Sequence, residues 1–442
     1  MSHGPLDMFS NIIQMVACED RLYRMQIKTP DMEPEELLPV IFWMHGGGFT
    51  TGASMDRTFL HGGNMARTGN VVFVGINHRL NVLGFLDLSQ YSDEFRYSGN
   101  VGMLDLVFGL EWVRENIEQF GGDPDNITTV GQSGGASKAT ALMAMPAAEG
   151  LFHQAVLLSG GSHQITRTTE TSQGQATSTL EILGIDPEDV YDILDVPFDT
   201  LLAAATEAGG GFGPVVDGYI IPTGSIEMSS HVPVMAGTVF SEMTTNTSPK
   251  VMPLHPDRES FIATYLSLPT EQVLERLAAT HGDNAERLLE LFREAYPDHP
   301  DGAALYVHDR NAPAGNFRPF SILGPHNDAG GTSFMYIQAF SYPAFESIGF
   351  IHTLGDLPFW FNNVEIIPVL VAGQELEAFY IADLMSGALT RFAHTGNPSQ
   401  PGYEWEPWTA ENGAVMVFDV ESGVRHHHDD EFLRFRRENR ID

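Results

Sequence analysis

One cysteine, Cys18, stands among 442 residues, so no disulfide can close within the chain. That fits a reducing compartment, and no CxxC pair is available to grip a metal. Lysine is almost as scarce. Lys28, Lys138 and Lys250 are the whole supply, within 23 basic residues set against 58 acidic ones. The net charge of −35 makes nucleic acid and anionic membrane surfaces poor partners. No apolar run approaches the ~18 residues that a membrane-crossing helix needs, so membrane insertion is not expected. The start, Met1-Ser2-His3-Gly4-Pro5, lacks a basic stretch leading into an apolar one. No signal peptide is visible there, and a cytoplasmic location is the expectation. An acidic surface poor in lysine stays hydrated in concentrated salt. If this composition is a salt adaptation rather than the bias of a GC-rich genome, the thermal midpoint rises in molar NaCl. An unchanged midpoint refutes it.

Hydrophobic residues make up 43% of the chain, enough for a large core. Pro39-Val40-Ile41-Phe42-Trp43-Met44 and Val71-Val72-Phe73-Val74-Gly75-Ile76 are short apolar runs that read as buried parallel strands. Leu104, Leu106, Val107, Leu110, Val113 and Ile117 repeat with helical spacing up to Gly121. Ile127-Thr128-Thr129-Val130 is then a strand, Ala136 to Met145 a helix closed by Pro146, and Ala155-Val156-Leu157-Leu158 the next strand. Strand and helix in alternation predict an α/β fold, a mostly parallel sheet with helices on both faces. Two stretches, about 165–208 and 256–330, break the alternation. They are charged and amphipathic, as at Phe261-Ile262 and Leu288-Leu289-Leu291-Phe292, and read as inserted helical lid regions that wall a site. Without repeats or low-complexity linkers, residues 1–442 are expected to form a single domain with helical excursions.

Gly131-Gln132-Ser133-Gly134-Gly135 is a G-x-S-x-G turn between a predicted strand and a predicted helix. Glycines flank the serine because the backbone there bends sharply, and the serine stands where the helix dipole favours negative charge. The plain alternative is a chance glycine loop. Upstream lies His45-Gly46-Gly47-Gly48-Phe49. Three glycines leave backbone N–H groups unobstructed, and an oxyanion hole needs such donors aimed at one point. Gly47 and Gly48 are the expected donors, joined by the N–H of Gly134. A phosphate-cradling loop is the competing reading, but no G-x-x-x-x-G-K-[ST] follows. The order of the two turns, with an acid and a histidine after them, is that of serine hydrolases on an α/β-hydrolase sheet.

Further segments carry a family resemblance. Asn77-His78-Arg79 with Gly84-Phe85-Leu86, Gly99-Asn100-Val101-Gly102-Met103-Leu104-Asp105, Phe120-Gly121-Gly122-Asp123-Pro124 and Gly213-Pro214-Val215-Val216-Asp217-Gly218 come in order. Phe392-Ala393-His394-Thr395-Gly396-Asn397-Pro398 closes the series. Together they resemble the type-B carboxylesterase and cholinesterase family, with a shortened N-terminus. The resemblance implies the α/β-hydrolase fold and ester hydrolysis; short to medium acyl esters are the expectation, with amide or carbamate bonds the alternatives. It implies an acid at Glu242, within Gly237-Thr238-Val239-Phe240-Ser241-Glu242-Met243, although Ser241 and Met243 depart from the family pattern. Asp217 is the rival acid, but it falls in the segment that resembles the family's structural P-V-x-D-G. It implies a catalytic histidine at His352, within Gly349-Phe350-Ile351-His352. Ser133 then attacks the ester, His352 shuttles the proton and Glu242 orients His352 through an acyl-enzyme cycle. Such chemistry requires neither metal nor organic cofactor. The expected partner is a small-molecule ester. A non-catalytic binding or adhesion relative of the same fold is the alternative, and those relatives typically lack the triad.

Other residues are candidates for the substrate pocket. Gln132 stands where the family usually has Glu, which argues against a cationic choline ester. Phe49 and Phe359 are candidate walls, with core packing the equal alternative for Phe359. Ser159 resembles a serine that sits beside the family's triad. His426-His427-His428 on a charged segment reads as solvated rather than metal-binding, since consecutive histidines do not easily face one ion.

Overall fold

A computed structural model describes residues 25–162, 165–222, 226–242, 267–307, 319–341, 354–368 and 371–441. They fall into two compact units interleaved along the chain. The first takes residues up to 56, 72–153 and 162–229, and the second takes 57–71, 154–161 and everything from 230 onward.

The first unit holds four strands: β1 (Met25–Lys28), β2 (Leu38–Met44), β3 (Val72–Ile76) and β4 (Gly122–Gln132). Every residue of β2 and β3 is buried, as befits apolar strands covered on both faces. β2 runs parallel to β3 on one side and to β4 on the other, and β1 adds antiparallel to β3. Met44 pairs with both Ile76 and Gly131, so the carboxyl ends of the three parallel strands lie level. The turns after β2 and β4 therefore leave the same edge side by side, where ligands of open α/β sheets bind. β4 is longer than its apolar centre at 127–130 predicts. Residues 123–126 are mostly polar and partly exposed, and they bulge between the Leu38–Gly122 and Val40–Ile127 pairs with β2.

Helix α1 (Val101–Asn116) covers this sheet. It begins earlier than predicted and tightens into a 3-10 turn (Ile117–Phe120) that Gly121 ends at φ +77°. Helix α2 (Gly134–Met143) starts directly after Ser133 and stops short of Pro146. The excursion at 165–208 is helical as predicted: α3 (Thr169–Leu183), capped by the Thr168 hydroxyl on the Thr171 N–H at 3.2 Å, and α4 (Phe198–Glu207). Buried ion pairing ties the segment after β3 to α1. Arg79 donates through Nη2 to Asp105 Oδ1 at 2.6 Å and through Nε to Oδ2 at 2.9 Å.

The second unit holds β5 (Gln154–Leu158), β6 (Val234–Val239), β7 (Ser333–Gln338), β8 (Ala414–Phe418) and β9 (Gly423–His426). β5 through β8 are parallel in that order, and β9 closes the row antiparallel. Its core is aromatic. The Trp360 ring meets Tyr336 edge-on at 4.9 Å and Phe418 at 5.6 Å, within the range where such pairs attract. Helices α5 (Thr270–His281) and α6 (Ala285–Ala295) lie within the second expected excursion. Phe261 and Ile262, also assigned to it, lie outside the described residues. Helix α7 (Glu375–Thr395) is the longest among the described residues. None of the described helices is long and apolar enough to cross a membrane.

Candidate active site

Ser133 occupies φ +53°, ψ −117°, between the last residue of β4 and the first of α2. A serine held at positive φ is strained, and such strain persists only where the surroundings enforce it. Here the enforcing contacts are backbone to backbone. A Cβ on Gly135 would lie 2.1 Å from the Met44 carbonyl oxygen at the end of β2. The helix after the serine is thus pressed onto the neighbouring strand, and the serine is lifted to the sheet edge.

The glycine turn lies against this elbow. A Cβ on Gly134 would fall 2.4 Å from the Gly48 nitrogen, so the two main chains touch. A Cβ on Gly46 would come 3.6 Å from Ser133 Cβ and 2.7 Å from Gln132 Oε1. Gly47 and Gly48 take φ +93° and +65°, and neither is buried. Thr51 N–H donates to the Gly47 carbonyl at 3.1 Å and closes the turn. The two motifs, read separately in the sequence, therefore converge on one spot. Gln132 is fully buried with its amide against Gly46. Phe49 is half-buried, and its ring meets Phe85 edge-on at 5.3 Å.

A cluster absent from the sequence reading lies behind the turn. Lys138, on α2, is fully buried and donates from Nζ to the His45 carbonyl at 2.9 Å. Burial brings its ammonium down to about 7. The His45 imidazole stacks on His78 at 5.3 Å between ring centres. Burial, reinforced by the Lys138 charge, brings His45 down to about 3 and His78 well below the usual imidazole range, so both rings are neutral.

Asp217, the rival acid, is engaged elsewhere. Its Oδ1 accepts the N–H groups of Tyr219, Ile220 and Ile221 at 2.8–3.0 Å, and its Oδ2 accepts Asn100 Nδ2 at 2.9 Å. That pattern belongs to a turn-forming aspartate.

In the second unit, Glu242 is fully buried just past β6, and its Oε1 accepts the Val239 N–H at 3.0 Å. Ser159 follows β5 directly at φ +47° and is also buried. Its N–H donates to the Gly237 carbonyl at 2.9 Å. Tyr336 and Asp356 join this buried group, and sequence reasoning had given neither a role. Burial first, then the charges of Asp356 and Glu242, push the Tyr336 phenol well above its usual range. Burial pushes Asp356 up to about 7 although Trp360 Nε1 donates to its Oδ2 at 3.1 Å. Phe359 is fully buried, with its ring 5.8 Å from Phe340. His352 lies outside the described residues. The three consecutive histidines face three ways: His426 Nε2 lies 2.5 Å from Glu406, His427 Nδ1 lies 2.8 Å from Asp430, and the His428 ring packs on Tyr296.

The sequence profile of the Carboxylesterase family matches residues 5–436. The chain belongs to that family. Among its relatives, para-nitrobenzyl esterase of Bacillus subtilis is 30% identical over 420 residues, covering 91% of this chain and 80% of that one. A solved esterase from Clostridium hathewayi, described as hydrolysing aliphatic aromatic polyesters, superposes with a TM-score of 0.82 at 32% identity. That match covers 95% of this chain and 83% of the other. The carboxylesterase EST55 of Geobacillus stearothermophilus superposes with a TM-score of 0.70 at 30% identity, over 94% and 85% of the two chains. This carboxylesterase therefore has the α/β-hydrolase fold that its sequence resemblance implied, and its activity is carboxylic-ester hydrolysis.

Proposed function

We propose that this carboxylesterase cleaves short to medium acyl esters through Ser133, His352 and Glu242. The single observation that carries the reading is the strained Ser133 elbow with Gly134 seated against Gly48. His352 takes the Ser133 proton as Oγ attacks the ester carbonyl, and the tetrahedral oxyanion is received by the N–H groups of Gly47, Gly48 and Gly134. Collapse expels the alcohol, which takes that proton from His352 and leaves the acyl group on Ser133. Water then repeats the sequence, releasing the acid and restoring the serine. Glu242 holds the imidazole in the productive tautomer and stabilises it when protonated. Gln132 removes a negative charge that a cationic alcohol group would need, so neutral alcohols are the substrates. A single catalytic domain working in a reducing compartment, with which the one cysteine is consistent, is part of the same proposal.

Hydrolysis of p-nitrophenyl acetate, butyrate and octanoate tests this and sizes the acyl pocket. Glu242→Gln keeps the shape but loses the charge, and kcat is expected to fall about 10³- to 10⁴-fold. The double variant with Ser133→Ala should be no worse than Ser133→Ala alone, because triad members act as a unit. A Glu242→Gln enzyme with full kcat would assign the acid elsewhere.

A further inference from the structure

We infer that Lys138 is a positioning residue for the oxyanion turn, holding it through the His45 carbonyl. The inference rests on the esterase reading of Ser133. The chain has three lysines, and this one is placed in the core, one and a half helical turns past the serine. A buried ammonium opposes folding unless something is gained by it. Its Nζ contact is to main chain, at the residue that opens the glycine run.

That run needs holding. Gly46, Gly47 and Gly48 carry no side chains to anchor them, and glycine has the largest backbone freedom to lose. The far end is closed by the Thr51 N–H on the Gly47 carbonyl at 3.1 Å. The near end is closed by Lys138 at 2.9 Å, a hydrogen bond that the amine donates whether or not it carries the extra proton. Because Lys138 shares helix α2 with Gly134, one rigid element fixes the nucleophile, one expected donor and the start of the strip that carries the other two. Burial alone lowers Lys138, and its charge in turn lowers His45 and His78, so both rings are neutral beside it. The role is one of geometry: Lys138 lies behind the turn and does not touch substrate.

The test compares Lys138→Met, which removes the donor, with Lys138→Gln, whose amide N–H can replace it. Both are assayed on p-nitrophenyl butyrate and titrated with a trifluoromethyl ketone, which forms a Ser133 adduct bearing the oxyanion. Lys138→Met is expected to lose about 10- to 100-fold in kcat with KM within about twofold. It should bind the ketone more weakly by a similar factor, and Lys138→Gln should recover most of both. A folded Lys138→Met with wild-type kcat and ketone affinity overturns the inference. So does an equal loss in both variants that tracks a fall in melting temperature, which is the mark of packing alone. Wild type without Ser133-dependent hydrolysis overturns the esterase reading itself, and the Ser133→Ala control keeps the two failures apart.

Discussion

Ester hydrolysis by the Ser133→Ala protein is expected to fall about 10⁴- to 10⁶-fold in kcat, with the fold intact. The residue left behind still presents the oxyanion turn, so a small rate above that of water persists. The same position gives a second, independent readout. Alanine is strained at φ +53°, as serine is, whereas glycine is not. Ser133→Gly should therefore be inactive but more stable than Ser133→Ala by about 1 kcal/mol in urea unfolding. A serine in an unconstrained glycine loop would show neither effect: alanine would leave hydrolysis unchanged, and the two variants would unfold alike.

The next largest effect is expected at Gly135. An added methyl would sit 2.1 Å from the Met44 carbonyl oxygen and 2.9 Å from its carbon, both backbone atoms that cannot swing aside. Helix α2 must back away from β2, and Ser133 and Gly134 move with it. Gly135→Ala should cost about 3 kcal/mol of stability. It should also reduce kcat/KM at least about 10²-fold, since such displacement spoils aligned groups. Gly174, within α3, is the control of opposite sign. Nothing lies within 4 Å of its added Cβ and its φ is not positive, so Gly174→Ala should stabilise by about 0.5–1 kcal/mol. Thermal unfolding and hydrolysis measured on both variants check the pair. Equal behaviour would mean that the pressed contact at Gly135 does not constrain the elbow.

Signals that depend on neighbours in sequence were legible. The apolar runs of β2 and β3 marked buried parallel strands to within a residue, because a strand covered on both faces has no polar side to interrupt it. Helix α1 was visible in its spacing, although its start was missed: residues 101–103 lack the periodic leucines but continue the helix geometrically. The polar half of β4 was invisible, since it bulges between two pairs with β2 and carries no apolar pattern of its own. The G-x-S-x-G and HGGG segments could be named from the sequence because their glycines answer local steric demands. Asp217 was already the weaker candidate for the acid, because it falls in the segment that resembles the family's P-V-x-D-G. In the structure its carboxylate is taken up by three backbone N–H groups and Asn100.

Lys138 marks the limit most sharply. A lone lysine after the serine reads as a solvated side chain, since charged residues are seldom fully buried. Its partner lies 93 residues away in the chain, and no local pattern links them. The buried group of Glu242, Tyr336, Asp356 and Trp360 likewise draws on separate stretches whose polar atoms have no common spacing. The sequence by itself determined the chemistry on offer: a serine elbow, a glycine turn, and the candidate acid and base in hydrolase order. Only the tertiary structure decided which buried polar groups meet. Burial leaves each donor or charge in need of a partner, and that partner is chosen by proximity in the fold, not along the chain.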